Sequence, residues 1–368
     1  MSGAISLVRS TVGQGTDFLV FWKAGRAILE GGLIYDRSQG GMVFKYPPWI
    51  APVFVPVSLF SFEQAKWIWG AICVASLVWV VRILQARFGI SRGAWFPVIL
   101  LYWGLWAVHA LDGQIILPLL ALGLGGLDSG PLPSAATALG YTAKIFTLFP
   151  FGLMAAKTPS RYFNPRFVFW VLTGMVGLSW VSCRYGFHGD WRGMWIAWKQ
   201  SAVSGATALD AGLTRGPKNQ SLTSFICRHL DVSATDSLTE ALISCVFYLG
   251  AYLSLSGMIK KWGGAECWLV GLALTPVFHP LPWHHLYVLT FPLSVYGLEL
   301  WLRNKGRISG AVFFSALFLI TLSHGRALGG IGDFLEYNVG RAWGALLMVA
   351  WFAAQKPIPA LSPKVLRL

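Results

Sequence analysis

The chain is a succession of long apolar runs, separated by short loops in which basic residues cluster. That alternation leaves little freedom of fold. Inside a hydrocarbon layer every backbone N–H and C=O needs a partner within the protein, and a helix supplies those partners from its own segment. Charged residues make up 12% of the chain, about half of the roughly 25% usual in soluble domains. Mean hydropathy is +0.58. The reading is an all-α polytopic membrane protein forming a single membrane-embedded domain over 1–368.

A bilayer core takes about 20 helical residues. The first clear span is 64–84, and further spans are expected near 94–110, 114–127, 167–186, 238–259, 265–280, 284–302, 309–323 and 340–354. The stretch 134–156 carries Lys144 near its middle and reads as two short helices that dip across and return. That gives about nine to eleven membrane helices in all. Arg82/Arg87/Arg92, Lys157/Arg161/Arg166, Lys260/Lys261, Arg303/Lys305/Arg307 and Lys356/Lys364/Arg367 then fall on one side. The positive-inside rule makes that side cytoplasmic. Asp17, Asp112, Lys144, the segment 187–237, His279–His285 and His324–Asn338 fall on the other.

Three segments are too short, too charged or too rich in proline to span. In 18–31, Leu19, Trp22, Ala27 and Leu29 are interleaved with Lys23, Arg26 and Glu30, which suits an interfacial helix. Pro47, Pro48, Pro52 and Pro56 each remove a backbone donor, so 46–60 is expected as a surface helix or shallow re-entrant piece. Residues 190–201 read as a third interfacial helix. The first seventeen residues lack the continuous apolar core of a cleavable signal peptide.

The net charge of +14 does not point to nucleic acid, because the basic residues sit in short inter-helix loops beside anionic lipid. Cys73, Cys183, Cys227, Cys245 and Cys267 are odd in number, far apart and form no CxxC pair, so they read as small core residues rather than a disulfide frame or metal site.

The unusual polar residues converge on the non-cytoplasmic side, and each also has a plain reading. Asp17, after Thr16, would cap a helix starting at Phe18 or stand as a carboxylate at the membrane boundary. Asp112, in Asp112-Gly113-Gln114, would cap a span or face the same cavity. Lys144 in an apolar run is costly and by default functional, or else snorkels to the surface. His279, His284 and His285 surround Pro280-Leu281-Pro282-Trp283. They read as polar tips of an interfacial loop, since no carboxylate lies nearby in sequence to complete a metal site. Asn219-Gln220-Ser221 matches a glycosylation sequon and precedes Arg228-His229. Arg215, Lys218 and Arg228 could together hold an anion.

In order along the chain, these pieces resemble glycosyltransferase family 87. The opening motif is Asp17-Phe18…Trp22-Lys23-Ala24…Gly31…Tyr35-Asp36…Phe44-Lys45-Tyr46-Pro47-Pro48. Gly113-Gln114-Ile115, Ala143-Lys144-Ile145-Phe146 with Pro150, Asn219-Gln220-Ser221-Leu222 with Arg228, and His284-His285-Leu286-Tyr287…Pro292 follow. A family member carries a membrane helix ahead of the aspartate, whereas only mostly polar residues precede Asp17 here.

The resemblance implies a GT-C fold whose catalytic segment, 17–60, and outer loop, 187–237, lie on the non-cytoplasmic face, in a bacterial plasma membrane. It implies an inverting transfer of a hexose or pentose, mannose foremost, from a polyprenyl-phosphate-linked donor to a lipid or glycan acceptor, without cofactor or metal. Asp17 is implied as the base, with Asp112 and Tyr46 as secondary candidates. Phosphate or sugar contacts are assigned to Lys144, Asn219, Gln220, Arg228, His284 and His285. A polytopic transporter or lipid flippase is the alternative. It would place polar groups at mid-membrane and carry repeat symmetry, and neither is evident in the chain.

Overall fold

The computed structural model describes residues 16–36, 44–126, 142, 165–202, 219–232, 237–279 and 284–355. All regular elements among them are helical. Phe62–Phe88 and Pro165–Gly186 are each long and apolar enough to cross a membrane. Arg92–Leu101 and Trp103–Ala110 form a third span if a bend of 60° between them is accepted. Further shorter apolar helices include Gly264–Phe278, Arg307–Leu322 and Gly340–Ala354.

Several expected spans coincide with these helices, and the differences have local causes. The run 94–110 is broken at Tyr102, which leaves helical geometry at ψ 0° and whose hydroxyl bonds Thr290 Oγ1 at 2.6 Å and Ser294 Oγ at 2.7 Å. The run 284–302 starts as a 3₁₀ turn, His284–Thr290, before the α-helix Phe291–Asn304 with Pro292 in its first turn. That is where proline's missing N–H costs nothing. The proline-rich 46–60 forms a 3₁₀ helix, Pro48–Phe54, and one α-turn, Val55–Ser58. The 324–338 segment, expected as loop, holds two short helices, Gly325–Leu328 and Gly330–Tyr337, hinged at Gly329 with φ +56°.

The chain divides into two compact units. One comprises Met1–Leu77, Ala107–Ile145 and Tyr162–Asp210; the other comprises Val78–Trp106, Phe146–Arg161 and Ala211–Leu368.

In the first unit the helix Thr16–Glu30 lies against Pro48–Ser58. Phe21 is the centre of that contact, stacking on Phe54 at 4.6 Å and meeting Tyr46 at 4.9 Å. Gly25 allows the approach, because a Cβ there would lie 2.3 Å from Ser58 Oγ. Ser58 Oγ in turn donates to the carbonyls of Trp22 and Phe54. Pro165–Gly186 packs on the same 3₁₀ helix, with Ser182 Oγ donating to Pro48 O at 2.7 Å. Its far side exposes Phe169, Leu172, Val176 and Trp180, a face suited to lipid.

In the second unit Gly264–Phe278 is buried along its whole length from Cys267 onward. Arg307–Leu322 and Gly340–Ala354 approach closely at Gly344, where a Cβ would lie 2.8 Å from Ala316 O. Small residues at such crossings are how membrane helices gain packing without a hydrophobic driving force. Glu299 ties the unit together: it accepts from Ser91 N at 2.8 Å and Ser91 Oγ at 2.7 Å, and pairs with Arg303 at 2.9 Å.

Candidate functional site

Asp17 does not sit before its helix as a cap. The helix begins at Thr16, which puts Asp17 in the first turn, where a carboxylate is favoured by the positive end of the helix dipole. One of its oxygens accepts a hydrogen bond from Gln114 Nε2. Three local features bring Gln114 there. Gly113 turns the chain with φ +65°, a conformation open to glycine and strained for L side chains. A Cβ on Gly113 would lie 2.4 Å from Phe18 Cβ, so the turn presses directly on the residue after Asp17. Finally, Trp69 Nε1 donates to Gly113 O at 3.1 Å while its indole stacks on Phe18 at 5.3 Å. His109 stiffens the same turn from within, its Nε2 accepting from Leu117 N at 3.1 Å.

Asp112 ends the helix Trp103–Asp112 instead of opening the next one. Tyr46 lies beside Asp17: burial first, and then the Asp17 charge, push its hydroxyl well above the ordinary tyrosine range. It therefore stays protonated at neutral pH. The backbone carbonyl of Tyr46 accepts from Tyr35 Oη at 2.8 Å, which links the two aromatic pieces of the opening motif. Lys144 lies outside the described residues.

In the second unit three distant segments meet: 219–228, 284–290 and 336–341. Asn219, Gln220 and His285 are buried there. Asn219 Oδ1 accepts from Ser221 N at 3.2 Å, and Ser221 caps the helix Leu222–His229 by accepting from Ser224 N at 2.9 Å. Tyr287 Oη donates to Gln220 O at 2.7 Å, and Gln220 Nε2 donates to Glu336 O. Arg228 clamps the segments, donating to Asn219 O at 3.3 Å, Ser224 Oγ at 3.0 Å and Tyr337 O at 2.7 Å. His284 Nε2 stands 2.9 Å from Glu336 Oε1.

Burial alone would raise the Glu336 carboxyl. The hydrogen bond and charge of His284, the Gly325 N–H and the charge of Arg341 outweigh it and hold the group below the ordinary glutamate range. Glu336 is thus an ionised carboxylate that fixes the orientation of His284.

Five of the residues singled out in the sequence, Asn219, Gln220, Arg228, His284 and His285, fall in this one cluster. Glu336, Tyr287 and Arg341 belong to it as well and were not among the candidate site residues. Tyr287 could have been taken from the His284-His285-Leu286-Tyr287 motif. Glu336 had one signal, an acidic residue in a chain with few of them. Arg341 had none, since a basic residue at the start of an apolar run is ordinary. Among the described residues no three His, Cys, Asp or Glu gather as a metal site.

The profile of glycosyltransferase family 87 matches residues 44–275. None of the curated proteins or solved structures matches the chain. The profile match covers more than half of the sequence and lends nothing to the transporter reading.

Proposed function

Starting from the fact that the chain belongs to glycosyltransferase family 87, we propose that this membrane glycosyltransferase takes its sugar, mannose foremost, from a polyprenyl-phosphate carrier. The acceptor is a lipid or glycan hydroxyl on the non-cytoplasmic face of a bacterial plasma membrane. The acceptor oxygen attacks the anomeric carbon, and its proton passes to the Asp17 carboxylate. The bond from that carbon to the phosphate oxygen breaks, and the electron pair leaves with the polyprenyl phosphate. Attack opposite to the leaving group inverts the anomeric configuration. The leaving group is already a phosphate, so the protein has to hold it, stabilise its growing charge and accept one proton.

The observation that carries this reading is the seating of Asp17. Its carboxylate is oriented by the Gln114 amide, on a turn pressed against Phe18. A base locked in one position is what proton abstraction in a transition state requires. Asp112 is the next candidate base, and Tyr46, protonated beside Asp17, is a hydrogen-bond donor to the acceptor or the sugar. Lys144, Arg228 and the His284–His285 pair are assigned to the phosphate, with Asn219 and Gln220 to sugar or phosphate oxygens. The support for these is their common cluster in the second unit, Lys144 apart.

Asp17→Asn tests the reading, because it keeps shape and removes proton acceptance. The expected outcome is a folded protein of normal thermal stability that transfers sugar from polyprenyl-phosphate-mannose at least ~100-fold more slowly. Near-normal turnover would move the base to Asp112. Loss of the fold would make Asp17 structural.

A further inference from the structure

Arg341 is one of the largest fully buried side chains in the protein, at 2% exposure. It stands in the first turn of the helix Gly340–Ala354. Its Nε and Nη1 are buried and meet no hydrogen-bond acceptor among the described residues. Arg228, in the same cluster, is an instructive contrast. That side chain spends its Nη donors on two backbone carbonyls and one serine hydroxyl, as a structural arginine does.

A guanidinium carries five N–H donors in a rigid fork and cannot shed its charge at neutral pH. Burying one without acceptors is strongly unfavourable. The nearby acidic group does not resolve this. Glu336 is within electrostatic reach of Arg341, but its Oε1 already lies 2.9 Å from His284 Nε2. The Tyr287 hydroxyl, also within reach, donates to Gln220 O, and its oxygen accepts no hydrogen bond from Arg341 Nε or Nη1. The helix adds to the imbalance, because its positive end coincides with the buried cation, and the N-cap, Val339, offers no side-chain acceptor. A buried cation with two unbonded donor nitrogens at a helix N-terminus favours an anion with several oxygens.

We propose that Arg341 is the residue that takes the phosphate of the lipid-linked donor and of the polyprenyl phosphate left after transfer. This deepens the glycosyltransferase reading and rests on it. The fork of Arg341 bonds two phosphate oxygens, and its charge is best matched when the sugar leaves and the phosphate gains its electron pair. Arg228 adds its charge to the phosphate site and, through its Nη donors, holds segment 219–224 against Tyr337.

The test is binding to the purified full chain in detergent, read by thermal shift and by direct titration, with three probes: a polyprenyl monophosphate, the polyprenol without phosphate, and inorganic phosphate. The wild type is compared with Arg341→Met and Arg341→Lys. Arg341→Met should fold with a melting temperature at or above that of the wild type, because it replaces a buried charge with two unbonded donor nitrogens by an apolar chain. It should bind the polyprenyl monophosphate roughly 10- to 100-fold more weakly, the weight of hydrogen bonds to a charged group. Arg341→Lys should fall between the two, keeping charge without the fork. The polyprenol should stabilise both proteins equally and less than the monophosphate stabilises the wild type.

Equal binding of the monophosphate by wild type and both variants would overturn the role of Arg341 and leave the glycosyltransferase reading intact. A shift given only by inorganic phosphate would overturn the lipid source. If Arg341→Met does not fold, Arg341→Lys decides alone, and wild-type affinity in it would overturn the proposal. If the wild type binds no polyprenyl monophosphate at all, the donor reading falls, and this proposal with it.

Discussion

Replacing Gly113 by Ala is a sharp test of how the Asp17 seat is built, because it touches neither Asp17 nor Gln114. Two penalties follow from the structure. At φ +65° an L residue in the left-handed region pays about 1–2 kcal/mol. The new Cβ would lie 2.4 Å from Phe18 Cβ, against an ordinary carbon–carbon separation of about 3.5–4.0 Å. Something must therefore move by more than about 1 Å, and overpacking of that kind costs typically ~1–3 kcal/mol. Phe18 Cβ is anchored to the helix backbone and cannot swing aside, so the first turn of Thr16–Glu30 has to shift and carry Asp17 with it. The expected stability loss is roughly 2–5 kcal/mol. Displacement of a reacting group by about 1 Å costs on the order of 10²-fold in rate. The assay is sugar transfer from polyprenyl-phosphate-mannose alongside thermal unfolding in detergent. In the double variant Gly113→Ala/Asp17→Asn the rate should equal that of Asp17→Asn alone, since a displaced base and an absent base are the same defect. A folded Gly113→Ala protein turning over at the wild-type rate would separate the Gly113 turn from the seating of Asp17, as would additive losses in the double variant.

Gln114→Ala removes the orienting amide without backbone strain, so turnover should fall with little change in melting temperature; unchanged turnover would separate Gln114 from the base. Glu336 has a lowered folded-state pKa, so its stabilisation is present above the unfolded value of about 4.3 and lost as pH falls through the folded value. The melting temperature of the wild type should therefore drop more steeply below that pH than that of Glu336→Gln, and parallel curves would contradict the His284–Glu336 pairing. Glu299→Ala should destabilise by about 1–3 kcal/mol in chemical unfolding, because it leaves the Ser91 donors unpaired; a neutral result would mean water replaces the carboxylate. Orientation is tested by impermeant thiol labelling of Arg192→Cys and Arg307→Cys, after the exposed Cys245 is replaced by Ser. Labelling from outside at Arg192→Cys only is expected, and the reverse would invert the topology.

The helices were legible from the chain because a bilayer enforces them. An apolar run that must satisfy its own backbone has one local solution, so 64–84 appears as Phe62–Phe88 and 167–186 as Pro165–Gly186. The helices Thr16–Glu30 and Trp191–Ala202 were legible for a similar reason, since apolar and charged residues interleave at helical spacing over 18–31 and 190–201. Breaks were less legible. Tyr102 ends a helix where its hydroxyl finds Thr290 and Ser294, nearly two hundred residues away, and no local pattern encodes that meeting.

The sites divide in the same way. Asp17 stood out in the sequence as the head of the motif that resembles the family's opening, but the Gln114 amide and the Gly113–Phe18 contact that seat it depend on two helices brought together in space. His284, Asn219, Gln220 and Arg228 were visible as motif residues, whereas Glu336 and Arg341 acquire meaning only once segments 219–228, 284–290 and 336–341 are packed together. Hydrophobicity and backbone hydrogen bonding act locally, so the chain alone tells which stretches are helical and which side chains are out of place in lipid. Burial and pairing join residues far apart in the chain, so which of those side chains have partners emerges only in the folded molecule.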